Sequence, residues 1–108
     1  MSVDARPLAG AVFFDRRELN LLLRLYGQMV AANEWRDYAI DGLRDLAVFS
    51  VFRRSQDQPL YRIEKRPALA SRQGAWSVIG QGGQILRRGH SLEAVLKLFD
   101  RHRFRVVD

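Results

Sequence analysis

The arginines are the side chains of this sequence with the clearest chemical potential. Eighteen of the 108 residues are Arg or Lys, and all of these except Lys65 and Lys97 are Arg. Residues 1–50 carry six Arg against seven Asp and Glu, whereas residues 51–108 carry twelve Arg and Lys against five acids, so their net charges are −1 and +7. A guanidinium group binds phosphate through two hydrogen bonds at once. The second half therefore favours nucleic acid or another polyanion as partner, although codon bias toward Arg would explain the same composition.

Alternation along the predicted strands indicates which arginines share a surface. In residues 60–66, Tyr61 and Ile63 are expected to point to the core, which sends Arg62, Glu64 and Arg66 to the opposite face. If the strands pair in sequence order, several guanidinium groups meet on one face or edge and form a nucleic-acid contact surface. The alternative is a solvated strand face whose charges prevent edge-to-edge aggregation. The predicted contacts are Arg62, Arg66, Arg72, Arg87 and Arg88, with Arg53 and Arg54 as secondary contacts.

Catalytic and metal chemistry find little support. The chain has no cysteine, and its two histidines, His90 and His102, form no metal motif. The glycines of residues 80–83 suit a hairpin turn better than a phosphate-binding loop, because a strand rather than a helix follows them. Asp37, Asp41 and Asp45 favour a solvated edge over a hydrolytic acid pair. We therefore predict a non-enzymatic protein without cofactor or metal.

Length and composition indicate one globular domain. The chain is 47% hydrophobic, which is enough for a single core at this size. Residues 1–10 resemble a flexible leader, and residues 11–108 the domain itself. No apolar run approaches the roughly 20 residues of a membrane helix, and no signal peptide is apparent, so we predict a cytoplasmic protein with no membrane contact.

The elements that position the arginines are two amphipathic helices and an antiparallel sheet of about four strands, an α+β fold. After a short strand at residues 11–14, Asp15 and Glu18 form the capping box of a first helix, which Asn33 ends. Strands follow at residues 47–52, 60–66, 76–79 and 84–87. Ser91 caps a second helix that extends to about residue 101 or 102, and residues 104–107 are a further strand candidate.

Two apolar features leave alternatives open. Phe49 and Phe52 have opposite parity in one strand, so an exposed Phe52 beside Arg54 could stack on a base, unless a bulge or a second helix layer covers it. The first helix carries its stripe of Leu19, Leu22, Leu23, Tyr26 and Val30. Leu21 and Leu25 lie off this stripe and predict a homodimer interface, which is the competing hypothesis.

Several segments of the chain are similar to a family of short bacterial proteins of unknown function. The resemblance covers nearly the whole sequence from Val12 onward, and it implies a bacterial cytoplasmic protein but no activity, cofactor or site residue. The hairpin that carries Trp76, with the helix after Ser91, also resembles small DNA-binding domains made of a three-stranded sheet and a helix. The segments that carry the family resemblance are FDRRELN at residues 14–20, LYG at 25–27, EWRDYAID at 34–41, VFSVFRR at 48–54, LYRIEKRP at 60–67 and RQGAW at 72–76.

Overall fold

The computed structural model describes residues 10–54 and 58–100 and shows an α+β fold. Its five strands form one antiparallel sheet in chain order, β1-β2-β3-β4-β5, so the predicted class is confirmed with one strand more than expected. Each strand pairs with its neighbours in sequence. The helices and strands are α1 (Arg16–Ala31), β1 (Asp37–Gly42), β2 (Ala47–Phe52), β3 (Tyr61–Lys65), β4 (Trp76–Gly80), β5 (Ile85–Gly89) and α2 (Leu92–Leu96), with short 3₁₀ turns at Pro67–Leu69 and Lys97–Phe99.

Helix α1 begins and ends where the local sequence predicts. The Glu18 N–H donates to the Asp15 carboxylate at 2.8 Å, and the Asp15 N–H donates to the Glu18 carboxylate at 2.8 Å, which completes the capping box. Asn33 has a φ of 62°, the left-handed conformation expected of a residue that follows a helix end. The predicted helix is therefore confirmed to within two residues.

The sheet differs from expectation at its first edge. Residues 11–14 form no strand, and Val12 reaches the sheet through a hydrogen bond of 2.8 Å from its N–H to the Leu43 carbonyl. The edge position is filled by β1, which the sequence did not predict. Asp37, Asp41 and Gly42 are poor strand formers, and β1 has no fully buried residue, so it lacks the hydrophobic alternation of a half-buried strand.

Both described helices pack on the same face of the sheet, which leaves a two-layer structure. Phe49, Ile63 and Val78 lie in one cross-strand row and join the core. The ring of Phe99 lies 5.2 Å from that of Trp35 and 5.0 Å from that of Tyr61, between centroids, so the 3₁₀ turn after α2 closes one end of this layer.

The buried face of α1 also differs from the one that the sequence predicted. Leu22, Leu25 and Met29 are its buried residues, whereas Leu23 and Val30 are 37% and 41% exposed. Leucines at four of the five positions from 21 to 25 create two overlapping stripes, and the stripe through Leu25 is the one that faces the sheet. The helix is thus rotated relative to the predicted stripe.

Helix α2 begins where predicted, and helical backbone, partly 3₁₀, extends to residue 100, the last that the structure describes. The Ala94 N–H donates to the Ser91 hydroxyl at 3.0 Å, so the cap is confirmed, but the α-helix ends at Leu96 and continues as a 3₁₀ turn. Leader residues 1–9, residues 55–57 between β2 and β3, and the strand candidate at 104–107 lie outside the described residues. Within the described ranges, no helix is long and apolar enough to cross a membrane.

Candidate nucleic-acid interface

The arginines predicted from β3 lie on the sheet face turned away from α1 and α2. Residues 62 and 64 alternate with the core residues Tyr61 and Ile63, and residue 66 continues the alternation beyond the strand end. Glu64 stands opposite Ser77 on β4, which in turn stands opposite Arg88 on β5. Arg88 therefore shares this face two strands away. We call the surface formed by Arg62, Glu64, Arg66 and Arg88 the arginine face.

One buried carboxylate organises the arginine face. Glu64 is 8% exposed, its Oε2 lies 3.6 Å from Nε of Arg62, and its Oε1 lies 3.3 Å from Nε of Arg66. Both contacts use Nε, so the terminal nitrogens of these guanidinium groups take no part in them. Three positive charges against one negative charge leave the face with an excess of two, held in a fixed arrangement.

Arg88 carries the polar atom of this face that is hardest to explain by folding alone. Its Nη1 is buried and has no hydrogen-bond partner among the described residues. A buried donor without an acceptor costs about 1–3 kcal/mol, and more where the group is charged.

Phe52 lies on the same face near the end of β2. Phe49 is fully buried in the helix layer, and β2 pairs with β1 and β3 without a register shift, so Phe52 points to the opposite side and is partly exposed. The opposite parity of the two rings is thus confirmed, and β2 contains no bulge that would hide Phe52. An aromatic ring beside arginines offers a stacking surface for a base.

Two of the predicted contacts lie beyond the end of the sheet. Arg53 and Arg54 are exposed after β2 and, with Arg36, line a polar depression that Asn33, Glu34 and Asp37 also line. The Arg53 Nη1 approaches the Glu34 carbonyl at 3.5 Å. This second basic cluster adjoins the Phe52 end of the arginine face, because Phe52 precedes Arg53 and stands opposite Asp37.

The remaining predicted contacts do not lie on the arginine face. Arg87 belongs to the helix side, where its Nη1 donates to the Ala94 carbonyl at 3.4 Å, because consecutive strand residues point to opposite faces. Arg72 is exposed in the connection after the 3₁₀ turn Pro67–Leu69. Three of the seven predicted arginines therefore share one sheet face, and two more form the adjoining cluster.

The two leucines predicted as an interface have other positions. Leu25 is 2% exposed and belongs to the core of the protein itself, so it cannot contribute to a surface. Leu21 is half-buried and packs against the core on the side of α1 that faces α2. The excess apolar surface of α1 instead comes from Leu23 and Val30.

An acidic rim borders the arginine face, at two of the aspartates for which the sequence favoured a solvated edge. Asp37 and Asp41 lie on β1 opposite Phe52 and Val48, so both belong to the outer side of the sheet, and both are exposed. Residues four apart in a strand point to the same face, so a predicted strand at β1 would have placed both aspartates together. Within residues 10–54 and 58–100, no three His, Cys, Asp or Glu side chains form a group suited to a metal ion.

A family model matches residues 12–96 of the chain, and its description is a protein of unknown function, DUF2794. The chain belongs to this family. The DUF2794 match extends from the segment before α1 to the end of α2, so it includes Phe52 and all four residues of the arginine face. No curated protein and no solved structure matches the chain.

Proposed function

We propose that this DUF2794 protein binds nucleic acid, or another polyanion, without catalysis through the arginine face of its sheet. The observation that carries the proposal is that Arg62 and Arg66 share one buried glutamate on the same sheet face as Arg88, which lies two strands away. A bacterial cytoplasmic setting is part of the same proposal, supported by the resemblance to bacterial proteins and by the absence of cysteine.

Phosphate contacts through arginine define the expected binding behaviour. Three such contacts on a single strand release about two condensed counterions, so affinity should fall about 20-fold between 50 and 200 mM salt. Sequence preference should be weak, because the arginine face presents charge to the backbone and no groups ordered to read base edges. Partly exposed Phe52 adds a stacking surface that favours single strands over duplexes.

The test is a fluorescence-anisotropy titration of single-stranded RNA, single-stranded DNA and duplex DNA with the purified protein at both salt concentrations. The test variant combines Arg62→Ala, Arg66→Ala and Arg88→Ala. The matched control combines Arg16→Ala, Arg24→Ala and Arg44→Ala, which removes the same charge from exposed positions outside the arginine face. The proposal expects lost binding in the first variant and near-normal binding in the second.

Other outcomes would contradict this proposal in distinct ways. Equal losses in the two triple variants would mean that net charge, and no particular surface, attracts the probe. If the affinity of the unmodified protein were the same at both salt concentrations, phosphate contacts could not be the basis of binding. Phe52→Ala should weaken single-strand binding about tenfold and leave binding to a polyanion without bases, such as polyphosphate, unchanged.

A further inference from the structure

The outer edge of β1 has the features of a pairing site that the described strands leave unfilled. β1 is six residues long, pairs with β2 alone among the described strands and contains neither proline nor a bulge. Its charged residues, Asp37 and Asp41, point to one face and leave the edge itself uncharged. Proteins normally protect such an edge with lysine, proline, a bulge or a covering segment.

The outward backbone groups of β1 can be assigned from its ladder with β2. The Leu43 N–H donates to the Leu46 carbonyl at 2.8 Å at the turn, so that pair is hydrogen-bonded. Hydrogen-bonded pairs alternate along an antiparallel ladder. The N–H and C=O groups of Tyr38, Ile40 and Gly42 therefore point away from β2, and no backbone group of residues 10–54 or 58–100 pairs with them.

Exposed apolar side chains collect along this edge. Tyr38, Ile40 and Leu43 are 43–45% exposed, and Phe13, which is 52% exposed, lies against Gly42, where an added Cβ would approach its ring within 2.7 Å. Helix α1 extends the same surface, because Tyr26 contacts Tyr38 with ring centroids 4.7 Å apart. Leu23 and Val30 flank Tyr26 at spacings of three and four residues on the outer side of α1. Six of the eight large hydrophobic residues exposed in the described part of the chain thus lie on β1, in the segments that flank it or on α1.

We propose that this edge pairs with the same edge of a second copy of the chain, through antiparallel β1 strands related by a two-fold axis at Ile40. In this register Ile40 stands opposite Ile40 of the second copy, and Tyr38 stands opposite Gly42. The Phe13 ring fills the side-chain space of Gly42, so the tyrosine of the second copy would lie against that ring, which gives an aromatic contact on each side of the central isoleucines. The three outward-facing residues of each strand then form six backbone hydrogen bonds.

Charge placement selects this register over the adjacent one. With the axis at Ala39, Asp37 would stand directly opposite Asp41 of the second copy, and facing like charges destabilise a strand pair. With the axis at Ile40, Asp41 stands opposite Ala39 and Asp37 opposite Leu43. No carboxylate then faces another directly, and the apolar strip stays continuous.

The absence of cysteine from the sequence allows a sharp test of this register. Directly opposite residues of a hydrogen-bonded pair have Cα atoms about 5.5 Å apart, which is within reach of a disulfide. Ile40→Cys should therefore form a covalent dimer under mild oxidation. Tyr38→Cys should not, because its equivalent in the second copy lies four residues away, about 13 Å along the strand.

Ile85→Cys is the matched control, since Ile85 is 53% exposed on β5, the opposite edge strand. Cross-linking of Ile40→Cys no faster than Ile85→Cys, or equal rates for Ile40→Cys and Tyr38→Cys, would overturn the proposed pairing. Sedimentation of the unmodified protein checks it without any substitution. The expected mass approaches twice 12.5 kDa as concentration rises, whereas a monomer up to about 1 mM would exclude an association of useful strength.

Discussion

Glu64 sets the balance of charge on the arginine face. Its carboxylate is shared by Arg62 and Arg66, whose side chains are 42% and 39% exposed, so the pairs are partly screened by solvent. The glutamate holds the two guanidinium groups in place, yet it also competes with any anionic ligand for them. Stability and binding therefore make opposite demands on this residue.

Glu64→Gln is expected to separate these two demands. The amide keeps the shape of the side chain but removes the negative charge, so the unfolding free energy should fall by about 1 kcal/mol while affinity for a single-stranded probe rises several-fold at low salt. Urea denaturation and anisotropy titration measure the two quantities. Glu93→Gln makes the same charge change at an exposed acid on α2 that pairs with Arg17. An equal gain in affinity in both variants would speak against the arginine face.

Tyr26 contributes to stability through its protonation state. Its hydroxyl donates to the Arg36 carbonyl. Burial, followed by the charge of Asp37 and by Tyr38, raises the pKa of Tyr26 above 10.0. A raised pKa stabilises the folded state below pH 10, and this contribution is lost as the pH rises through the folded value. Tyr26→Phe should lower the unfolding free energy by about 1 kcal/mol at neutral pH and remove its part of the decline above pH 10. A decline as steep in the variant, measured by urea denaturation from pH 8 to 11, would assign that loss to other groups.

Among the helices and strands, the sequence predicted correctly those features that depend on residues close together in the chain. Asp15 with Glu18, and Ser91, located both helix starts, because a cap satisfies free N–H groups within three residues of itself. Alternation placed Arg62, Glu64 and Arg66 on one face for a similar reason. Which side of α1 is buried, and whether β1 forms at all, depend instead on contacts between residues that are far apart in the sequence. Leu25 meets the sheet only in the folded protein, and β1 is held by β2 despite two aspartates. Arg88 and Glu64 lie on the same face two strands apart, and predicting this requires the order of the strands, which no local sequence pattern gives.

The connection between β3 and β4 depends on the conformation and close packing of Gly74. Gly74 has a φ of 101°, and an added Cβ would lie 2.3 Å from the backbone of Gly89 on β5. Gly83, in the β4–β5 turn, has a similar φ of 89° but open space around the same position. The two glycines therefore share a backbone conformation, but only Gly74 is packed closely against another strand.

Gly74→Ala should destabilise the protein more than Gly83→Ala, by at least about 2 kcal/mol. Both substitutions carry the cost of a side chain at positive φ, on the order of 1 kcal/mol, but only Gly74→Ala also displaces β5. Thermal and urea unfolding of the two variants measure the difference. Since β5 carries Arg88, binding should weaken in Gly74→Ala and stay normal in Gly83→Ala. Equal destabilisation would mean that the backbone of Gly89 moves aside easily.

At the scale of the whole molecule, the proposed pairing would join two arginine faces into one surface. Antiparallel β1 strands about an axis normal to the sheet place both outer faces on the same side, separated by the acidic rims of Asp37 and Asp41. The two associations then respond oppositely to salt. Salt weakens phosphate contacts but screens the carboxylates that approach one another across the dimer.

A dimer with two binding faces should hold a long nucleic acid more tightly than a short one. A strand that reaches both arginine faces binds the second face at a raised effective concentration, whereas a probe of about eight nucleotides occupies one face only. With Ile40→Asn, a probe four times as long should bind no more tightly than the short one. Affinity for the short probe should stay unchanged, because Ile40 lies on the helix side of the sheet edge and not on the arginine face. Ile85→Asn should preserve the length effect, and anisotropy titrations with both probes compare the two variants. A length effect that survives in Ile40→Asn would mean that long probes gain affinity on a single copy, through the basic cluster of Arg53 and Arg54 beside Phe52.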